Sequence, residues 1–197
     1  MIRNSIQAYA AIIAVWSLTG CSADNQTTVQ RAAAPGTSAA VQNSPFIITA
    51  TIRELMDSTI DPAADDLWGS VAFVASKGGM QEKKPHTDEE WKAVRRRAIT
   101  LAEATNLLVM GGRHAAPPDT QPGTGELAPA EIDRRIAVTR PAFLGFVHGL
   151  QATAMKALKA IDRKDSEGLF QAGGEIDAAC EACHVTYWYP DQKVPTT

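Results

Sequence analysis

The stretch Cys180-Glu181-Ala182-Cys183-His184, followed by Val185-Thr186-Tyr187 near the end of a 197-residue chain, decides how the rest is read. Two cysteines three positions apart lie about one helical turn from each other, on one face of a helix. That spacing lets both thiols form thioethers with the two vinyl groups of one haem, and it sets the histidine directly after them beneath the iron as an axial ligand. The competing meanings of Cys-x-x-Cys fit less well. A structural zinc site takes four protein ligands as a rule, and the one further cysteine, Cys21, has another fate. A thioredoxin-type pair belongs beside a βαβ pattern, which the chain lacks; a disulfide or redox pair stays the alternative. The expectation is a covalently attached haem c, held by Cys180 and Cys183, with iron ligated by His184.

The N-terminus carries a matching export signal, since haem of this kind is attached outside the cytoplasm. Arg3 supplies a positive start, Ala8 to Trp16 an apolar run, and Leu18-Thr19-Gly20-Cys21 a small-residue cleavage site. The run is too short to span a bilayer. Leu-Thr-Gly-Cys resembles the lipobox of bacterial lipoproteins, which implies cleavage before Cys21 and a diacylglycerol on its sulfur. Ser22 at the next position then implies the outer rather than the inner membrane. An ordinary secretory signal is the plain alternative. Residues 1–20 are accordingly expected as signal peptide, 21–45 as tether, 46–190 as the folded part and 191–197 as a tail.

Composition supports that division. The stretch from Ser22 to Pro45 is rich in Ala, Ser, Thr, Gln and Asn, and too poor in large apolar side chains to offset the entropy of ordering. Residues 46–190 are long enough to build one real core. The formal charge of −3 falls by one more when Arg3 leaves with the signal, so nucleic acid is a poor partner.

Apolar spacing in the folded part is helical almost throughout. One stripe runs Ile48, Ile52, Leu55, Met56 and Ile60, and another runs from Leu67 through Val71 to Val74, with Asp61-Pro62 between them as a kink or a restart and Gly78-Gly79 as the end. Thr87-Asp88-Glu89-Glu90 has capping-box spacing and opens a helix through Trp91, Val94, Ala98, Leu101, Leu107 and Leu108 to Gly111-Gly112. A third helix is expected over 129–161, with Ile132, Ile136, Phe143, Val147, Leu150, Ala154 and Leu158 inward and a bend at Pro141. Asp165 caps a fourth, through Leu169, Ile176, Cys180 and Cys183. Nothing in the pattern reads as a strand.

Four helices with Cys180-x-x-Cys183-His184-x-x-Tyr187 at the end of the last resemble class II c-type cytochromes, the cytochrome c′ family. That resemblance implies an all-α antiparallel four-helix bundle with haem near the C-terminal end of the last helix. The family commonly follows the tyrosine with Arg or Lys, where this chain has Trp188. It also tends to carry an Arg followed about one turn on by a Leu or Met facing the iron, a pattern that Arg53 and Met56 match loosely.

In such a bundle the end of the fourth helix lies beside the start of the first, the end of the second and the start of the third. Counting at about 1.5 Å per residue sets Cys180 to His184 level with Ala50 to Met56. Met56 is therefore the expected sixth ligand, with core packing as its plainer role. His148 is the competitor, counted back from the last turn. The long Gly111 to Leu127 segment, rich in Pro and Gly and carrying His114, is placed to cover the haem edge.

Two function classes follow. With Met56 on the iron the protein is an electron carrier, because Met/His ligation raises the reduction potential. With the far side vacant and walled by Leu55, Met56 and Trp68, it binds NO or CO as the cytochrome c′ family does. Peroxidase-type catalysis wants a distal acid–base pair, and none is evident. The carrier is the preferred reading. It works on the periplasmic side of a bacterial membrane, its partners being envelope redox proteins and, through the lipid, the membrane itself; a homodimer is left open.

Overall fold

A helix that opens with its own capping box sets the first contact of the fold. In the computed structural model, which describes residues 45–192, the Thr51 side chain accepts from Glu54 N–H while Glu54 reaches back to Thr51 N–H at 2.8 Å. This starts α1 (Ile52–Leu55), which passes without a break into a π-helical turn, Met56–Ile60, and then α2 (Asp61–Ser70). Pro62 falls in the first turn of α2, directly after the π-helical turn, so its missing N–H interrupts the main-chain ladder where the helix widens. Asp61 is itself helical, so the kink or restart expected at Asp61-Pro62 is a widened turn inside a continuous helix.

The expectation of helix as far as Val74, and of no strand, is corrected here. Helix α2 ends at Ser70, and β1 (Ala72–Ser76) pairs antiparallel with β2 (Gly79–Lys83), in the register Ala72 to Lys83 and Ser76 to Gly79. Gly78-Gly79 belongs to a hairpin instead of stopping a helix: Lys77-Gly78 is its turn, and Gly79 opens β2 at φ +108°, which a side chain would resist. The hairpin buries little of itself. Its anchor is Phe73, edge-on to Phe170 at 5.1 Å.

Thr87 and Glu90 form the predicted capping box at the start of α3 (Asp88–Leu108). Ala98, Leu101, Thr105 and Leu108 are buried along it, three or four residues apart, with Trp91 two turns before them. The segment over 129–162 is two helices, α4 (Pro129–Val138) and α5 (Arg140–Asp162), broken at Thr139 where Pro141 begins the second. Asp165 caps α6 (Ser166–Tyr187) by accepting from Gly168 N–H at 2.8 Å.

Polar pairs at two heights fix how these helices run. Arg95 meets Asp162 and Gln151 meets Asn106, so α3 and α5 are antiparallel. Lys156 meets Glu175 and Thr139 meets Tyr187, so α5 and α6 are antiparallel too. Asp66 pairs with Arg97 to tie α2 to α3, and the Trp68 indole N–H donates to Gly173 O at 2.9 Å to tie α2 to α6. A Cβ at Gly173 would lie 3.1 Å from that indole, which would have to give by a few tenths of an ångström. The protein is predominantly helical around one apolar core, with a two-stranded sheet beside it. The signal, Cys21 and the tether lie outside the described residues, as do 193–197.

Candidate functional site

The last two turns of α6 carry Cys180, Cys183 and His184 on a face too apolar to be left in water. Ala179, Cys180, Cys183 and His184 line a cleft with Trp188 just beyond. Facing them are Ile52, Met56 and Asp61 from the first helical segment, Leu108 from the end of α3, and Phe143, Phe146, Val147 and Leu150 from the start of α5. Three elements other than α6 thus converge at the height that residue counting gives.

Of the sequence candidates, Met56 is brought to the cleft and His148 is not. Met56 is half-buried, at the first position of the π-helical turn, and such turns recur at functional sites because they shift the register of one face. His148 is exposed and lines no part of the cleft, since its neighbour Val147 takes the inward position. Trp68, expected on the far wall, lies in a different groove with Leu67, Leu169 and Phe170. Leu55 is buried in the core without lining the cleft. Arg53 turns outward from Met56 to pair with Glu126.

The chemistry of the thiols separates two meanings of the motif. Burial pushes the Cys180 thiol up to about 11, with Asp61, Asp177 and Glu181 adding to it. Burial, with Cys180 next to it, pushes Cys183 up to about 12. A redox-active pair sits at a helix N-terminus with lowered values. These sit near a helix C-terminus, whose dipole also disfavours thiolate, and both are free thiols.

A c-type haem suits this donor set. It needs two neighbouring thiols and an imidazole on one face, within apolar walls that exclude water. The cavity that the lining side chains enclose is about 30 Å³, well short of the roughly 300–1,000 Å³ of cofactor sites, so a haem takes its place here only with the walls moved apart. Among the described residues no three His, Cys, Asp or Glu side chains converge as a protein-only metal site requires.

The segment after α3 is strapped across this end. His114 O and Ala115 O accept from the N–H groups of Ile52 and Arg53 at 2.8 and 2.9 Å, satisfying donors at the start of α1. Leu127 N–H donates to Trp188 O at 2.9 Å, beyond the end of α6. Arg113 donates to Leu107 O at 3.0 Å and also reaches Ala50 O. His114 itself is exposed and pairs with Asp133 at 2.8 Å.

Trp188, standing where the resemblance expects a cation, is buried, with its ring 6.3 Å from that of His184. Asp61 is the site residue that the sequence pattern hid, because Asp before Pro reads as a helix cap. Its carboxyl is raised above the ordinary value by burial and by Asp57 and Asp65, against an opposing pull from His184. Neither a family model nor a curated protein sequence matches the chain.

Proposed function

We propose that the chain is a c-type cytochrome of the bacterial cell envelope, an electron carrier that holds one haem covalently through Cys180 and Cys183. His184 is the proximal iron ligand and Met56 the distal one. The observation that carries this reading is the cleft itself, in which Met56 from one end of the chain faces Cys180, Cys183 and His184 from the other. The haem supplies reversible one-electron chemistry at the iron. The chain's own part is to hold and shield it. Apolar walls from Ile52, Leu108, Phe143 and Phe146 exclude water, and the strap from Gly111 to Leu127 fixes the ends of α1 and α6 against each other.

The antiparallel pairs support reading the helices as a four-helix bundle of the cytochrome c′ kind, with α1, the π turn and α2 as its first member, α3 as its second, α4 and α5 as its third and α6 as its fourth. Lipid attachment at Cys21 would place this domain on the periplasmic side of a membrane, the outer one by the residue that follows, within reach of redox partner proteins. Among the described residues no helix is long and apolar enough to cross a membrane.

Absorption spectra of both oxidation states test the ligand assignment. The oxidised protein should be low-spin with a weak sulfur-to-iron charge-transfer band in the far red, and Met56→Ala should remove that band while the helical content persists. A wild type already high-spin and binding CO rapidly contradicts Met56 ligation and makes the protein a gas-binding one. A low-spin wild type that lacks the band contradicts it as well, and points to another axial donor.

A further inference from the structure

Among the described residues Asp61 is the one acidic side chain lining the cleft, and the π-helical turn is what brings it there. In a regular α-helix, residue i+5 points about 140° away from residue i. Here Asp61 N–H donates to Met56 O, an i+5 bond that widens the turn and brings the two side chains onto one face. Met56 and Asp61 therefore share one face, and that face looks at Cys180, Cys183 and His184. The carboxyl group sits at the rim, where Asp61 keeps contact with solvent. Its field reaches His184 and Cys180 on α6. The other groups acting around it are Asp57 and Asp65 on its own segment and Asp177 and Glu181 on α6.

We propose that Asp61 is a positioning residue for His184, a carboxylate that faces the imidazole across the cleft and stabilises the oxidised, more positive state of the site. The inference rests on the haem reading above. Partners just beyond the first ligands are the usual means by which a protein sets the basicity of a histidine ligand and the potential of its metal. Asp61 is exposed, so water screens its charge in part, and the rest of its field acts across the apolar lining it shares with His184. Removing it disfavours the ferric state and raises the reduction potential.

The test is a spectroelectrochemical titration at pH 8 of the haem-loaded full chain in four forms: wild type, Asp61→Asn, Asp61→Glu and Asp57→Asn. Asp57 is exposed on the same turn and does not line the cleft, so Asp57→Asn measures the effect of net charge alone. Asp61→Asn should raise the potential at least twice as far as Asp57→Asn, and Asp61→Glu should restore the wild-type value. Equal shifts in the two Asn variants, or no rise in Asp61→Asn, overturn the proposal and leave the haem reading intact. A wild type purified from haem-loading cells without covalent haem overturns that reading, and the proposal with it.

Discussion

The hydroxyl of Tyr187 lies 2.8 Å from that of Thr139, at the break between α4 and α5. Thr139 donates its own hydroxyl hydrogen to Arg135 O at 2.8 Å, so Tyr187 is the donor in the pair. The tyrosine ring is edge-on to Phe143 at 5.6 Å and to Phe146 at 6.0 Å, and both phenylalanines line the cleft. One side chain, three residues after His184, thus fixes the helix break and braces the aromatic wall.

Tyr187→Phe removes the hydrogen bond and keeps the packing. It should cost about 0.5–1.5 kcal/mol in denaturant unfolding. Tyr187→Ala, at a residue only 1% exposed, should cost about 3–5 kcal/mol. A Phe variant as damaging as the Ala variant would show that the hydroxyl, not the ring, holds this corner.

The strap is held at its far end by Glu126, whose side chain is 4% exposed and pairs with Arg53. Burial pushes the Glu126 carboxyl upward, but the Gly123 N–H at 2.8 Å and the Arg53 guanidinium outweigh it and leave the group below its ordinary value of 4.5. A carboxylate lowered in the folded state contributes stability above its unfolded pKa, and that stability is lost as pH falls. Protease cleavage within Gly111 to Leu127 should therefore speed up below about pH 4.5. Glu126→Gln should raise the cleavage rate at pH 7 and flatten this acid dependence.

The half-buried thiols make a prediction of opposite sign. In haem-free protein carrying Cys21→Ser, alkylation of Cys180 and Cys183 should be slow at pH 8 and climb through pH 11, because thiolate is the reactive form. After denaturation the rise should level off just past pH 9, the ordinary thiol value. The folded values lie above the unfolded one, so the thiols' contribution to stability is complete below pH 9 and is lost as pH rises through 11 to 12. Rapid alkylation of the native protein at pH 7 would mark the pair as redox-active.

Local chemistry made most of the helices legible. Thr87 with Glu90 and Asp165 with Gly168 each act within one turn, so sequence alone locates them, whereas the bend expected at Pro141 is a full break at Thr139. The match in height between Met56 and Cys180 was legible too, because helix rise is constant. Asp61 was not, since a π-helical turn breaks the 3.6-residue period on which every face assignment rests. The hairpin over 72–83 was hidden for a different reason. Its strands are almost wholly exposed, so no alternation of buried and exposed residues marks them. Lys77-Gly78, its turn, resembles a helix end as closely as a hairpin. The strap's bonds from His114 and Ala115 to α1 are main-chain contacts across some 60 residues, and they leave no trace in side-chain pattern.

Covalent attachment is the claim on which the rest depends, and intact mass spectrometry of the denatured protein tests it most directly. The full chain should be expressed with its own signal in a bacterium able to attach haem in its periplasm. The account predicts a mass equal to the mature chain plus its lipid and one haem, with the haem increment missing from a Cys180→Ala, Cys183→Ala double variant. A bare polypeptide mass under those conditions, with Cys180 and Cys183 recovered as free thiols or as a disulfide, would contradict it.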